Sequence, residues 1–306
     1  MKTTTKQPNN QTTEQPNNRT TKLTAVKTST KQMLLGLIPA LAMMCFQHDA
    51  MADLATVDLG TAGNFAVLAG SGITVAGAVN TTTINGNIGT YPTPAVTGLG
   101  NVVLNGVDQT LNSSLMSIAK YDLSAAFTDA AGRPATTTYA PATDLGGLTL
   151  TPGVYFFASS AQLTGTLTLN DEGNPDAVFV FQIGSTLTTA SDSSVVSIND
   201  GGSTTPGIST FWQVGSSATL GTTTAFEGNI LALTSITADT GATDLDGRLL
   251  ARNGAVTLDD NTITAPPAEV TSSAPDTGST LLLLGSGLAA LFAFGRRFSP
   301  LPDNPE

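Results

Sequence analysis

The clearest periodic pattern of apolar residues predicts one long amphipathic helix from about Gln109 to Ala131. Apolar residues recur there at steps of three and four, which places them on one face of a helix. Asp108 is a suitable N-cap, and Gly132 followed by Pro134 would end the helix. We therefore expect this face to lie against another apolar surface. The face comprises Leu111, Leu115, Ile118, Ala119, Leu123, Ala126, Phe127 and Ala130.

The chain after this helix reads as short strands separated by Gly, Asn and Asp, and it contains an internal repeat. Four strand-like segments each place a threonine between two apolar residues, and a second hydroxyl-bearing or acidic residue follows three positions later. The steps from Thr219 to Thr237 and from Thr237 to Thr257 are 18 and 20 residues. The first column contains Thr188, Thr219, Thr237 and Thr257, and the second contains Ser191, Thr222, Thr240 and Asp260.

This period suits a β-helix in which each coil has three short sides. Phe226, Ile230, Leu245 and Leu249 would then point inward and stack, while the threonine columns point outward. Neighbouring coils lie about 4.7 Å apart, so one threonine per coil forms a regular lattice of hydroxyl and methyl groups. Such a lattice can hold ordered water. The alternative is that β-branched threonine simply favours strands.

The first 52 residues have the features of a signal peptide with a long polar leader. Lysines precede an apolar run from Met33 to Phe46, and Ala50-Met51-Ala52 supplies small residues for cleavage, so we place the mature start near Asp53. A lipid anchor on Cys45 is a competing interpretation, which the bulky residues before that cysteine disfavour.

The C-terminal part has three sections after a predicted domain at 53–268. Residues 269–280 form a linker and motif, and residues 281–306 form an apolar segment with a basic tail. The pattern resembles the sorting signals read by exosortase-type or sortase-type enzymes, and a plain membrane anchor is the alternative. It predicts an exported protein, anchored to the cell envelope or secreted after processing, whose partners are a sorting enzyme and the membrane. The residues of the signal are Pro275, Asp276, Thr277, Gly278, Arg296 and Arg297.

Composition excludes several kinds of chemistry for the predicted domain. The only cysteine and histidine, Cys45 and His48, lie in the leader, so a thiolate, an imidazole base and a Cys/His zinc site are all missing. Between Asp53 and Ala274 four basic residues face 18 acidic ones, giving a net charge of about −14 that disfavours nucleic acid. We expect a monomer without cofactor, metal or enzymatic activity.

One acidic and basic stretch leaves two weaker alternatives open. Paired carboxylates beside a basic residue could act as a glycosidase-type centre, and the same acids could bind calcium. The structural interpretation is that Asp-rich corners turn the chain and pair with nearby arginines. The residues in question are Asp244, Asp246, Arg248, Arg252, Asp259 and Asp260.

Segments spread over the whole domain resemble the ice-binding-like family of microbial proteins. They include VDLGTAGNFAVLAGSGIT at 57–74, AVFVFQIGSTLTT at 177–189 and FWQVGSSATLGTTTAFEGNILA at 211–232. The resemblance implies a discontinuous, right-handed triangular β-helix with the long helix packed alongside. It also implies that one flat side of this prism binds the surface of an ice crystal. A cell-surface adhesin or structural envelope protein on the same scaffold is the alternative function.

The family's ice-binding side often carries a T-A/G-x-T/N motif, which Thr240-Gly241-Ala242-Thr243 fits fully. The preceding coils, beginning at Thr222 and Ser191, depart from it, and the segment 260–263 does not fit. We expect Thr240 to neighbour Thr222, Thr243 to lie on the same side as Thr240, and Thr237 to lie nearer an edge or on another side. The predicted ice-binding residues are Ser191, Thr219, Thr222, Thr224, Thr237, Thr240 and Thr243.

Overall fold

The computed structural model describes residues 54–267. The predicted signal peptide, sorting motif, apolar segment and basic tail lie outside the described residues. Within 54–267 the chain forms one α-helix, α1 (Ser113–Gly132), and three short 3-10 helices at Gly60–Asn64, Leu99–Asn101 and Pro206–Ser209. No helix in this range has the length and apolar character needed to cross a membrane.

The rest of the described chain consists of short strands. The first twelve are β1 (Phe65–Ala69), β2 (Gly72–Ala76), β3 (Thr82–Asn85), β4 (Asn87–Thr90), β5 (Val96–Thr97), β6 (Val102–Asn105), β7 (Thr137–Tyr139), β8 (Thr149–Leu150), β9 (Gly153–Phe157), β10 (Ala161–Leu163), β11 (Thr166–Asn170) and β12 (Phe179–Ile183). The others are β13 (Leu187–Thr189), β14 (Ser194–Ile198), β15 (Thr210–Val214), β16 (Ala218–Leu220), β17 (Ala225–Phe226), β18 (Asn229–Ala232), β19 (Ile236–Ala238), β20 (Thr243–Leu245), β21 (Arg248–Ala251), β22 (Ala255–Asp259) and β23 (Thr262–Thr264).

These strands form three parallel sheets, and the chain passes through the sheets in turn. Sheet A has the order β4-β1-β21-β18-β15-β12-β9-β7, sheet B the order β10-β13-β16-β19-β22-β2-β5, and sheet C the order β6-β3-β23-β20-β17-β14-β11-β8. From β9 to β23 each coil contributes one strand to each sheet and pairs with the coil before it. The protein is thus mainly β, with parallel sheets in a solenoid-like arrangement and one helix.

The stacking order of the coils differs from their order in the sequence. The coil of β1, β2 and β3 pairs with the last coil, where Val67 lies beside Leu249 and Thr74 beside Thr257. The coil of β4, β5 and β6 stacks beyond it. Helix α1 follows β6, and the chain then resumes at the opposite end of sheet A with β7. Its 20 residues span about 30 Å, which is comparable to the height of the stack.

Helix α1 covers the outer side of sheet A. Its buried residues, such as Met116, Leu123 and Phe127, form a second apolar cluster with Phe211 and Leu231 of the sheet. This explains why strands of sheet A are buried on both faces, whereas those of sheets B and C alternate. The predicted apolar surface against the helix is therefore sheet A.

The helix begins later than predicted. Asn112, not Asp108, caps it, because the side-chain Oδ1 of Asn112 accepts a hydrogen bond from the Leu115 N–H at 3.3 Å. Leu111 therefore precedes the helix and is 91% exposed. At the other end, the Gln182 amide donates to the carbonyls of Ala130 and Arg133, both at 2.8 Å, which ties the end of the helix to β12.

The space enclosed by the three sheets is filled by stacked side chains of successive coils. Phe181 and Trp212 lie in register on β12 and β15 with ring centroids 3.9 Å apart, and Trp212 also contacts Phe226 at 5.0 Å. The prediction that Phe226, Ile230 and Leu249 point inward is confirmed. Leu245 was predicted inward as well, and this is wrong: it is 50% exposed, and Asp244 occupies the inward position opposite Phe226.

We predict that Trp212→Ala lowers the free energy of unfolding by about 3–5 kcal/mol, because it removes a fully buried ring from the middle of the aromatic stack. Trp212→Phe should cost less, since a phenyl ring keeps part of the contact with Phe181. Urea denaturation followed by circular dichroism measures both.

Tyr121→Ala is the matched control, because Tyr121 is an aromatic residue on the helix that is 76% exposed. It should change stability by less than about 0.5 kcal/mol. Equal losses for Trp212→Ala and Tyr121→Ala would contradict a central role of the stack.

Candidate binding face

The outward side of sheet B carries an unbroken column of aligned polar residues. The strand pairings place one of them on each of seven successive strands, and six of the seven are threonine. Four are exposed, and the three at the centre of the sheet, Thr219, Thr237 and Thr257, are partly exposed. In stacking order the column is Gln162, Thr188, Thr219, Thr237, Thr257, Thr74 and Thr97.

Small residues flank this column on one side, the side of the preceding residues of each strand. Two positions before the central members stand Thr186, Ser217, Ser235 and Ala255, which share the outward direction because side chains alternate along a strand. At the end of this neighbouring row the hydroxyls of Ser160 and Thr186 are 2.8 Å apart. Along this column and row the outward side of sheet B is therefore rich in hydroxyl and methyl groups and free of basic side chains.

Two predicted site residues, Thr219 and Thr237, belong to this column. Thr237 does not lie near an edge, because it stands on β19 with three strands of sheet B on each side. The other alternative, a position on another side from Thr240, agrees with the structure, since Thr240 lies in the turn after β19. Since neighbouring strands are about 4.7 Å apart, Thr219 and Thr237 are one strand spacing from each other.

Three further predicted residues, Ser191, Thr222 and Thr240, lie at the corner where the chain passes from sheet B to sheet C, and all three are exposed. Backbone hydrogen bonds align the corner: the N–H of Thr223 donates to the Thr240 carbonyl, and that of Gly241 to the Asp259 carbonyl. The Thr240 hydroxyl also contacts the carboxylate of Asp259. Thr222 and Thr240 thus occupy the same corner of adjacent coils.

The corner also explains the family motif. Its second position adopts a left-handed backbone in all four coils, with φ of 58° at Asp192, 57° at Thr223, 74° at Gly241 and 55° at Asp260. Glycine and aspartate tolerate this conformation better than most residues. Asp192 and Asp260 therefore form the same turn in their coils that Gly241 forms in its coil. In the last coil the motif positions are Asp259-Asp260-Asn261-Thr262, one residue earlier than predicted.

The structure corrects two of the predicted site residues. Thr224 occupies the third motif position, which points into the corner, and its side chain is fully buried with its hydroxyl 2.8 Å from that of Thr189. Thr224 is therefore a structural residue. Thr243 begins β20 and lies in sheet C between Ala225 and Thr262, so it does not share the outward side of sheet B.

Other members of the column were missing from the predicted site. Thr188 and Thr257 stood in the first aligned column, so the repeat itself could have identified them. Thr74 and Thr97 belong to the N-terminal coils, which join sheet B only because those coils stack on the last one. A local repeat carries no signal for that non-local pairing.

The charged residues considered for a catalytic or calcium site lie in different parts of the fold. Asp259 and Asp260 contact threonines at the corner between sheets B and C, whereas Arg252 lies over the ring of Phe127 at 5.5 Å. Asp244 is fully buried, so a substrate cannot reach it. Within residues 54–267, no group of three or more potential ligands is arranged to hold a metal ion.

Two acids with raised pKa values, Glu227 and Asp244, lie near the corner where the chain passes from sheet C to sheet A. Burial raises the pKa of Glu227 to about 7, and its carboxylate accepts a hydrogen bond from the Ser197 hydroxyl at 2.5 Å. Burial, with the nearby Glu227, raises the pKa of Asp244 well above its usual value. Trp212 donates its indole N–H to the Glu227 carbonyl at 3.1 Å, so this corner adjoins the aromatic stack.

The fold and the face together define a β-solenoid protein that presents one sheet with an aligned threonine column beside a helix-covered sheet. The chain belongs to the Ice-binding-like family, whose sequence model matches residues 67–264. It is 46% identical over 268 residues to an ice-binding protein of Nostoc sp. (strain HG1), covering 86% of this chain and 95% of that relative.

Two further comparisons agree with this membership. An ice-binding protein of Colwellia sp. is 39% identical over 244 residues, covering 75% of this chain and 92% of the relative. The crystal structure of an ice-binding protein from the Antarctic ascomycete Antarctomyces psychrotrophicus superposes with a TM-score of 0.63 at 40% identity. The superposition covers 69% of this chain and 98% of that structure.

We predict that stability falls as pH rises from about 5 to 8, in part through Glu227. In the unfolded chain a glutamate loses its proton near pH 4.5, whereas folded Glu227 keeps it up to about pH 7. The folded state therefore binds more protons across this interval, and raising the pH favours unfolding by about 2 kcal/mol at this group. Melting temperature measured against pH reports the effect.

Glu227→Gln should flatten this dependence, because the amide is neutral at every pH and its carbonyl can still accept from Ser197. Asp176→Asn, at an exposed carboxylate, is the matched control and should leave the slope as it is in the unmodified protein. An unchanged slope in Glu227→Gln would show that this carboxyl does not couple to folding.

Proposed function

We propose that this protein binds ice crystals through the outward side of sheet B, without enzymatic turnover. Thr219 and Thr237 form the centre of the binding surface, and Ser191, Thr222 and Thr240 extend it along the corner toward sheet C. The observation that carries the proposal is the column of six threonines and one glutamine on seven successive strands. Relatives named for ice binding support it.

The physical basis is a preorganised lattice. Threonine has few χ1 rotamers, and its place in a strand ladder restricts them further, so little entropy is lost when the surface binds. Hydroxyls repeating at about 4.7 Å can hold waters in a regular array, while the methyl groups between them limit other hydrogen bonds of those waters. Adsorption of such an array onto ice forces the crystal to grow between bound molecules with a curved front, which slows growth.

We also propose the finer form of the scaffold and its cellular setting. The three sheets form the sides of a right-handed triangular β-helix, and the protein acts as a monomer on a flat crystal surface. The protein is exported by its N-terminal signal and held at the cell envelope, or released after processing, through the segment from Pro275 to Arg297. The supporting pattern is the acidic Pro-Asp-Thr-Gly motif followed by an apolar run and two arginines.

We predict that Thr237→Tyr removes most of the thermal hysteresis, because a large ring at the centre of the column prevents close contact with ice. Stability should change by less than about 0.5 kcal/mol, since the side chain faces solvent and aromatic residues suit strands. Thermal hysteresis and ice-crystal shape are measured on the purified protein, with the melting temperature in parallel.

Thr243→Tyr is the matched control. It places the same ring on a partly exposed strand threonine of sheet C, and we expect it to keep the activity. Loss of activity in Thr243→Tyr but not in Thr237→Tyr would move the binding surface to sheet C. An unmodified protein that leaves ice growing as unshaped discs would refute ice binding and favour a surface adhesin.

We predict that the C-terminal segment directs attachment to the envelope. Cells that express the full chain should retain the protein in the envelope fraction, whereas a chain ending at Ala274 should appear in the medium. Immunoblots of the two fractions measure this. Equal amounts of both chains in the medium would contradict the proposed sorting signal, and the substitution of Arg296 and Arg297 by Gln tests the basic tail separately.

A further inference from the structure

A second site lies away from the outward side of sheet B, in a cleft between helix α1 and the corners that lead from sheet A to sheet B. The cleft has a volume of about 470 Å³. Two cationic residues, one aromatic residue and several hydroxyls line it: Ser71, Tyr91, Thr93, Lys120, Ser124 and Arg252. None of the residues that line the cleft is acidic.

The cleft concentrates positive charge in a protein that is otherwise strongly acidic. Between Asp53 and Ala274 the chain has only four basic residues, and two of them, Lys120 and Arg252, line this cleft. Neither has a carboxylate within ion-pair distance among the described residues, whereas Arg133 is paired with Asp129 at 2.7 Å. The two cations therefore line one cleft without a neutralising partner from the described part of the chain.

Hydrogen bonds hold both cations in place and leave further N–H donors available on each group. The Lys120 ammonium donates one hydrogen bond, to the Ala251 carbonyl at 2.6 Å, and the Arg252 Nε–H donates to the Ser124 hydroxyl at 3.1 Å. An ammonium has three donors and a guanidinium has five, so most of them remain for a ligand. The Arg252 guanidinium also lies over the ring of Phe127, 5.5 Å from its centroid, which is a cation–π contact.

Placing two like charges together in a partly buried cleft is unfavourable unless an anion joins them. Burial and the neighbouring Arg252 lower the pKa of Lys120 to about 7, in keeping with this repulsion. A carboxylate accepts charge-assisted hydrogen bonds from both groups and removes this repulsion. Distant surface carboxylates oppose it only weakly, because salt screens charges beyond about 10 Å.

We propose that this cleft binds the carboxylate of an acidic sugar, with Lys120 and Arg252 on the carboxylate and the hydroxyls of Ser71 and Thr93 on the sugar ring. The volume exceeds what a lone inorganic anion fills and lies in the range of sites for small organic ligands. This site is independent of ice binding, because its residues lie on the helix and on the corners and not in the threonine column.

The test is calorimetric titration of the purified full chain with sodium glucuronate, and with methyl glucoside as the neutral control. We expect glucuronate to bind at least about tenfold more tightly than the glucoside, because charge-assisted hydrogen bonds are the stronger contacts. Sulfate should compete with glucuronate, since it offers the same oxyanion chemistry. Binding of sulfate without binding of glucuronate would overturn the proposed ligand class.

Substitution of each cation in turn tests whether Lys120 and Arg252 both bind the ligand. Arg252→Gln and Lys120→Met should each weaken glucuronate at least about tenfold, while Arg133→Gln, at a cation outside the cleft, should bind as the unmodified protein does. Melting temperatures of all variants show whether they fold. The comparison of glucuronate with glucoside on the unmodified chain decides the proposal even if a variant does not fold.

The pH dependence separates a ligand contact from a merely structural lysine. Tyr91, Lys120 and Arg252 are the titratable groups that line the cleft. Glucuronate stays ionised above pH 5, so binding should weaken from pH 6 to pH 9 as Lys120 loses its proton, and Lys120→Met should abolish that difference. Equal affinity for glucuronate and glucoside, no binding of either, or unchanged binding in both variants would overturn the proposal.

Discussion

The structure depends on parallel, in-register backbone pairing between successive coils. Because each strand pairs with the strand one coil away, a residue that points inward on one coil lies directly against its counterpart on the next. The same ladder aligns the residues that point outward. The Phe181–Trp212 stack inside and the Thr219–Thr237 pair outside are consequences of one register.

This register would fail at the corners if their backbone groups were left unpaired, since buried polar groups without partners are costly. Buried side chains meet this need at the corner between sheets B and C. Ser193 donates to the Leu163 carbonyl at 2.9 Å, and the Asn261 amide donates to the carbonyls of Asp239 and Ala242 at 2.9 and 3.0 Å. Thr224 has the same role, because its buried hydroxyl donates to the Ala190 carbonyl at 3.2 Å.

A second constraint comes from the order in which the coils stack. The N-terminal coils lie against the last coil, so the chain needs an element that returns to the other end, and α1 supplies it. By covering sheet A the helix also decides which sides remain open to solvent. Arg248 secures this arrangement from within: its guanidinium donates to carbonyls of Gly63 and Pro266 and to the Asn229 side chain, each at 2.9 Å.

The sequence predicted the repeat, the helix and most inward residues, because these follow from local periodicity. It could not supply the register of the last coil, which has one more residue than its neighbour at the corner after β21 and one fewer at the corner after β22. These differences cancel over the whole coil and so leave the period nearly unchanged. Asp244 escaped prediction for another reason: alternation favoured Leu245, and only the pairing with Phe226 shows which of the two faces inward.

The same reasoning changes how the irregular corner motif bears on function. The second motif position requires a left-handed backbone, which Gly241, Asp192 and Asp260 all adopt. The third motif position faces inward. Departures there alter the turn chemistry and leave the strands of sheet B in register. The number of intact motifs is therefore a poor measure of how regularly the threonines of sheet B are aligned. The better measure is the column itself, which continues through coils whose corners carry serine, threonine or aspartate, and through N-terminal coils that the local repeat does not include.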